Sequence, residues 1–417
     1  MRKQKILTLI IATLLLFSII FNFSACVAGV ILAEDLTKGY TPAYVERSEH
    51  RSEESIAMSN LALRLLYATY EDDKSSIISP VSILLALAMV MNGAAGATLV
   101  EMEIALRMDL AELNDYLYSY CAYLPSSDKY NLSIANSVWF IDSPALEINE
   151  AFLQTNADYY RASLYKAPFN KSTVNDINTW VRRNTDGMIK DIVDDIPPEA
   201  IMYIVSALAF DAEWENIYKK NQVRNGDFTK ENGDTVSAKF MYSTESSYIE
   251  DKNATGFIKY YKDRKYAFAA LLPNEGISIS DYMVSLNGYS LNEMLLNPTS
   301  ATVITSMPKF ESEYSEEISM ILEKFGIYSA FNPYNADFSL LGSYSGGNIF
   351  INSVIHKSYI SVNEKGTRAG AATLIEVKNT ADNIDESKYV YLDRPFVYMI
   401  IDTETATPLF IGTMMEP

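Results

Sequence analysis

The sequence predicts an α+β fold in one large domain, on three observations. Helix-like and strand-like stretches are interleaved along the chain. Ser52 to Tyr70, Ser79 to Met89 and Leu110 to Leu124 read as helices, whereas Asn131 to Ile141 and Ile201 to Phe210 read as strands. Length alone suggests two or three domains, but no Pro/Gly/Ser-rich linker and no internal repeat divides residues 52–417. The composition is globular: 417 residues, 48% hydrophobic, with 14 Pro and 17 Gly, which suffices for a sizeable core.

Residues 1–26 stand apart. Arg2, Lys3 and Lys5 precede an apolar run from Ile6 to Phe21, and Asn22-Phe-Ser-Ala-Cys26 follows. A charged start, an apolar middle and small residues at the end predict an export signal rather than a retained anchor helix, since the run is short for a membrane span. Phe23-Ser-Ala-Cys26 is similar to a bacterial lipoprotein box, with Phe where Leu is usual. Two outcomes stand: Cys26 is lipidated and becomes the mature N-terminus, or it is a chance Cys beside an ordinary cleavage site. The expected location is therefore extracellular or at the cell surface, with membrane contact only through an N-terminal lipid or an uncleaved signal. Residues 27–51 show no clear period and read as a spacer.

The elements then follow in order. Ile56, Leu63, Leu66 and Tyr70 mark one helical face, with Ser52 as its N-cap. Ser79 caps a second helix whose first turn takes Pro80, and the Gly-rich Asn92-Gly-Ala-Ala-Gly-Ala-Thr98 stops it. Cys121, inside the Leu110–Leu124 helix, reads as a buried, inert thiol. With two Cys in the chain, a disulfide framework is excluded. Val174 to Val193 reads as an amphipathic helix ending near Gly187. The continuous apolar run Ile201 to Phe210 fits a strand buried on both faces. Asn225-Gly226 and Asn232-Gly-Asp234 are turn signals.

One late stretch, Glu364 to Ala381, has a different character. At period two, Thr367, Ala369, Ala371, Thr373, Ile375 and Val377 share an uncharged face. Its middle, Ala369-Gly-Ala-Ala372, is small and weakly strand-forming. Such a segment can sit exposed as a loop and still fit a tight slot as a strand.

These residues carry a family resemblance. Asn363-Glu-Lys-Gly-Thr-Arg-Ala-Gly-Ala-Ala-Thr373 resembles the hinge of the serpins, the serine-protease-inhibitor family. Downstream, Arg394-Pro-Phe396 and Pro408-Leu-Phe-Ile-Gly412 are similar to its closing strands. Upstream, the Ser79–Met89 helix, Ile177 to Ile189, Glu213-Trp214, Met307-Pro-Lys-Phe310, Leu322 to Ile327 and Ala336-Asp-Phe-Ser339 resemble family landmarks in order. The resemblance covers residues 52–417. It implies a mixed multi-sheet core with a large central β-sheet, surrounding helices and an exposed reactive-centre loop at about 364–392.

It also implies roles. Glu364, Gly366, Thr367, Ala369, Gly370, Ala371, Ala372 and Thr373 match the hinge. Ser79, Ser82, Ser206 and His356 match the "shutter" that governs sheet opening, where the family has Asn in place of Ser206. A serine there must bond over a shorter reach or through water. A satisfied core histidine is equally compatible with His356, while His50 has no context and reads as surface. Trp214 matches the point where the loop first enters the sheet. Lys309 and Glu364 match a pair worth under about 1 kcal/mol when partly exposed. The implied action is irreversible suicide-substrate inhibition of a serine, or cysteine, protease by loop cleavage and strand insertion. Counting from the hinge acid puts the cut at Thr380–Ala381, which suits an elastase-like or subtilisin-like target. Lys378–Asn379 is the rival and suits a trypsin-like one. The alternative is a non-inhibitory binding or chaperone protein of the same fold.

Other chemistry finds little support. The chain has two His, no Gly-x-Ser-x-Gly, no His-Glu-x-x-His, no Cys cluster and no phosphate loop, so neither an enzyme, a metal nor a cofactor is expected. A formal net charge of −19 disfavours nucleic acid and anionic membranes as partners. The Leu110–Leu124 helix carries Glu112 and Asp115 without Lys or Arg, so a heparin site is not expected on it. Glu71-Asp-Asp73 and Asp194-Asp195 read as solvated faces. A monomer is expected.

Overall fold

The computed structural model describes residues 29–48, 52–124, 130–197, 199–367 and 387–417. A seven-stranded central sheet runs in the order Glu34–Asp35, Ser163–Ala167, Tyr130–Ile141, Met202–Glu213, Gly366–Thr367, Ser353–Val362 and Phe310–Glu317. Met202–Glu213 and Ser353–Val362 also pair directly and in parallel, from Tyr203 opposite Ser353 to Ala209 opposite Tyr359. A nine-stranded sheet packs with it, and Leu146–Ile148 pairs with Gly342–Tyr344 in a small third sheet.

The central strand is apolar because both its faces are covered. Tyr203, Val205 and Ala207 pack with Ile177, Trp180 and Val181 of the Lys171–Asn184 helix on one side. Ile204, Leu208 and Phe210 join the main core on the other, which includes the Pro80–Met91 helix, buried along its whole length. The strand runs on to Glu213, beyond the apolar run. Ser79 caps the Pro80–Met91 helix, its side chain accepting from the Ser82 amide.

Several local readings change. Ser52 is the first residue of its helix, not its cap. The Gly-rich stretch after Met91 stops one helix and also starts another, Gly96–Leu106. Gly93 is required there, since a Cβ would sit 2.4 Å from that of Leu341. The helix read as Val174–Val193 spans Lys171–Asn184, capped by Asn170. It stops because Asp186 and Gly187 adopt left-handed backbone, and Asn178 then ties down the following chain through Ile192 and Val193. Asn225-Gly226 is no turn but lies within the Val223–Thr229 strand, where a Cβ on Gly226 would meet the Phe240 ring at 2.9 Å. Asn232-Gly-Asp234 does turn, closed by the Lys230 amide on the Asp234 carbonyl.

The segment read as a spacer is, over residues 29–48, a strap bonded to the domain. The Leu32 and Ala33 amides donate to Asp176 Oδ2 at 3.0 and 2.8 Å. Glu34 and Asp35 pair with Lys166 and Tyr165 at the sheet edge, and the Ala43 amide donates to Asp158. Local sequence period cannot reveal such a strap, because its bonds are made to distant residues. Cys121 is half-buried, and burial pushes its thiol up to about 12. The Leu110–Tyr123 helix has no basic residue in its last turn. Glu71, Asp72, Asp73, Asp194 and Asp195 are exposed. Among the described residues no helix is long and apolar enough to cross a membrane, and no group of three or more His, Cys, Asp or Glu is placed to hold a metal.

Candidate functional site

The site begins where the two central strands part. Above Ala209 and Tyr359 their direct pairing ends, and Gly366–Thr367 lies between them. Thr367 is opposite Ala212 on one side and Val362 on the other, and Gly366 is opposite Glu213. Only glycine fits at 366, because a Cβ would come within 2.0 Å of the Ala212 carbonyl oxygen. Thr367 is fully buried, and its Oγ1 is 2.6 Å from the hydroxyl of buried Tyr261.

A tight turn precedes this seat. The Asn363 amide donates to the Gly366 carbonyl at 2.9 Å, and the Lys365 amide donates to Asn363 Oδ1 at 2.9 Å. Three donors from the chain just after the Met202–Glu213 strand hold its carbonyls. The Trp214 amide donates to Lys365 at 2.9 Å, Trp214 Nε1 to Asn363 at 2.8 Å, and the Tyr218 amide to Glu364 at 2.8 Å. Trp214 is buried and stacks on Tyr261, ring centroids 4.3 Å apart. Lys309 Nζ meets Glu364 Oε2 at 2.5 Å, and this hydrogen bond holds the Glu364 carboxyl below its ordinary range. Both side chains are about a third exposed, so the pair fastens the turn weakly.

Six residues down the sheet lies the polar cluster containing His356. The ring is fully buried, and desolvation lowers it to about 3, so it is neutral in the folded protein. The Ser79 amide donates to its Nε2 at 3.2 Å, which fixes Nε2 as an acceptor and leaves the proton on Nδ1. Ser358 Oγ is 2.8 Å from the same Nε2. Nδ1 is 3.2 Å from Ser206 Oγ, which is 2.8 Å from Ser82 Oγ, which donates to Asn136 Oδ1 at 3.0 Å. The Asn136 side-chain amide returns a bond to the Ser82 carbonyl at 3.0 Å. Five side chains and one backbone amide thus join the helix beneath the sheet to three adjacent strands.

Of the two outcomes open to its short side chain, Ser206 takes the direct one, with Oγ 3.2 Å from His356 Nδ1. Asn136 lies directly opposite Ser206 on the neighbouring strand and supplies an amide group to the cluster. Sequence reasoning missed Asn136 and Ser358. Period two alone would place Ser358 on the face of His356, but Asn136 could be found only with the strand register known.

The structure thus brings together Ser79, Ser82, Ser206 and His356 in one cluster, and Lys309, Trp214, Glu364, Gly366 and Thr367 in another. Ala369, Gly370, Ala371, Ala372, Thr373, Lys378, Asn379, Thr380 and Ala381 lie outside the described residues, as do His50 and Cys26. The chain is described again from residue 387, where Lys388–Tyr391 forms the edge of the nine-stranded sheet beside Thr299–Pro308.

Comparison with known proteins agrees with this architecture. Residues 56–417 match the sequence profile described as Serpin (serine protease inhibitor). An uncharacterized serpin-like protein of Thermococcus kodakarensis is 32% identical, over 83% of this chain and 82% of its own. The leukocyte elastase inhibitor of Equus caballus is 27% identical, over 87% of this chain and 99% of its own. The native-state crystal structure of tengpin, a thermophilic serpin, superposes with a TM-score of 0.88 at 41% identity, covering 92% of this chain and all of that one.

Proposed function

Because the chain belongs to the serpin family of serine protease inhibitors, we propose that it is a single-use trap for a serine protease, worked by cleavage and insertion of the loop that follows Thr367. One observation carries this reading: Thr367 is seated between the two central strands in a register that the loop can continue. Extended antiparallel to Met202–Glu213, the loop would place Thr373 between Ser206 and His356 and Val377 opposite Met202, where that strand begins. Ala369, Ala371, Thr373, Ile375 and Val377 would take the buried face that Thr367 takes now. The strand pair thus runs out at the residue where the uncharged face of the loop also runs out.

The energetics favour insertion. About ten residues gain ladder hydrogen bonds worth roughly 0.5–1.5 kcal/mol each. Ile375 and Val377 add roughly 1.5–3 kcal/mol each when buried. The uncut form is then held by a kinetic barrier rather than by being the most stable arrangement. A protease that attacks the loop forms an acyl-enzyme, the freed segment inserts, and the attached protease is carried down the sheet before water completes the reaction.

Thr380–Ala381 follows shortly after Val377 and is the proposed reactive bond. Incubation with a protease panel should give an SDS-stable complex with an elastase-like or subtilisin-like enzyme and release a fragment beginning at Ala381. The cut protein should melt on the order of 20 °C above the uncut form, from about 10 kcal/mol gained at roughly 2 °C per kcal/mol. A fragment beginning at Asn379, with complexes only from trypsin-like enzymes, moves the site to Lys378. Cleavage with no complex and no gain in melting temperature leaves a binding or chaperone role instead.

The proposed location is outside the cytoplasm, on the strength of the leader and Phe23-Ser-Ala-Cys26. Lipidation of Cys26 predicts that the protein fractionates with membranes and that Cys26→Ser releases it. A wild-type protein found wholly soluble, with an N-terminus other than Cys26, leaves simple secretion.

A further inference from the structure

We propose that the open face of the nine-stranded sheet, beside the strand on which the loop returns, docks the body of the target protease and fits one with acidic side chains next to its cleft; this rests on the trap reading above. Strand register builds the face. Arg224 of the Val223–Thr229 strand lies opposite Phe240. Tyr242, two residues beyond Phe240, lies opposite Ser306, and Ser306 lies opposite Tyr391 of the edge strand Lys388–Tyr391. Period two keeps these side chains on one side of the sheet, where they line a single open groove. Tyr389 and Tyr391 are 64% and 40% exposed, and their rings meet edge to face with centroids 6.2 Å apart.

The groove reverses the charge of the molecule. The chain has 53 acidic residues against 34 basic ones, yet Lys219-Lys-Asn-Gln-Val-Arg-Asn-Gly226 holds three cations and no acid. Lys219, Lys220 and Arg224 are exposed, and none of them is in an ion pair among the described residues. The Arg224 guanidinium lies 3.9 Å from the centroid of the Tyr242 ring. That contact orders the cation but satisfies none of its N–H donors, which stay available to a carboxylate. Two acids, Asp227 and Asp393, also line the groove, and Asp393 is already paired with Arg394 at 3.3 Å.

Position selects the partner. The Tyr218 amide donates to the Glu364 carbonyl at the hinge, and Lys219 is the next residue. At the other border, Lys388–Tyr391 is the strand that receives the returning loop. The groove is thus bordered by the chain that holds one foot of the loop and by the strand that receives the other. Ala381 precedes Lys388 by seven residues, so even extended chain keeps the proposed bond within about 25 Å of that strand. A protease of roughly 250 residues has a radius of gyration of about 18 Å, so its body comes within reach of the groove when it holds that bond. Tyrosine and arginine are enriched where protein surfaces bind each other. Three cations on a chain of net charge −19 make a poor seat for a long polyanion.

The test uses the full-length protein and the enzyme of the panel that gives the SDS-stable complex. The second-order rate of inhibition is measured at about 50 mM and about 500 mM salt. Three proteins are compared: wild type, the groove variant Lys219→Ser with Lys220→Ser and Arg224→Ser, and a control, Lys38→Ser with Lys171→Ser and Lys324→Ser. The control removes the same charge from exposed positions on other elements. At low salt the groove variant should be about tenfold slower than the other two, and salt should slow wild type but hardly change the groove variant. Inhibitor consumed per protease inactivated should stay within about twofold, because the seat of Thr367 is untouched. Equal rates for the groove variant and the control overturn the docking surface. So does a loss that appears only when heparin is added, which assigns the cations to a polyanion. If wild type forms no complex with any enzyme of the panel, the trap reading falls and the docking surface with it. If wild type forms the complex and the groove variant matches it, only the docking surface falls.

Discussion

Thr367→Arg is expected to turn the protein from an inhibitor into a substrate. Thr367 is fully buried between two strands, with its hydroxyl on Tyr261 and the Trp214 ring stacked on that tyrosine. A guanidinium at this position has no carboxylate among the described contacts of Thr367 and must either expel the hinge or lie unpaired in the sheet. Burying an unpaired charge costs at least about 3 kcal/mol, which slows insertion on the order of 100-fold. Under the proposed mechanism binding and cleavage of the loop do not depend on this seat, so deacylation overtakes insertion. The measurement is the number of inhibitor molecules consumed per protease inactivated, which should rise at least tenfold. Arg368→Glu, one residue on and assigned by alternation to the opposite face, should leave that number within about twofold. Unchanged stoichiometry in Thr367→Arg would falsify the insertion mechanism.

The second large effect is on pH. His356 is neutral and buried in the closed sheet, its pKa lowered from 6.5 to about 3, chiefly by desolvation and in spite of its bond to Ser206. Under the proposed mechanism the strands part at Ser206 and His356, and the ring then meets water and regains its ordinary affinity for a proton. Below pH 6.5 the opened sheet therefore binds a proton that the closed sheet does not. The contribution of neutral His356 to closure is fully present above pH 6.5 and is lost progressively as pH falls toward 3, at about 1.4 kcal/mol per pH unit. Uncut protein whose loop inserts without cleavage would become heat-resistant, and this spontaneous conversion should accelerate by up to about tenfold per pH unit below 6. His356→Gln keeps a polar side chain without this titration and should flatten the profile. The exposed Glu316, opposite His356 on the next strand, remains in both proteins. A His356→Gln protein with the wild-type pH profile would place the titration elsewhere.

What could be read from the sequence follows a physical divide. Local rules reached the Ser79–Pro80 helix start and the apolar Met202–Glu213 strand, because each depends on neighbours in the chain. Residues whose partners lie far away were read poorly. Leu32 and Ala33 gave no periodic signal, since their bonds go to Asp176. The Lys171–Asn184 helix ended earlier than its apolar pattern, because Ile189, Ile192 and Val193 are buried without being helical. The family resemblance, not a local rule, implied the histidine cluster in outline through Ser79, Ser82, Ser206 and His356. Its amide came from Asn136, through strand register, which no local pattern reports.

The shared register of the two central strands has a kinetic meaning. Ser206 faces His356, and Ala212 and Val362 face one another through Thr367, all in one alignment. Under the proposed mechanism, from the level of Ala209 and Tyr359 downward each residue that advances separates one such couple and bonds to both of its members. Motion down the sheet is then a one-dimensional walk in which every forward step closes two contacts where one had been. Retreat becomes slower than advance at each position, so drift is built into the track and needs no external fuel. Such a walk has its first pair to break at Ala209 and Tyr359, three residues beyond Thr367, and that is where a small change in the hinge should alter the outcome most.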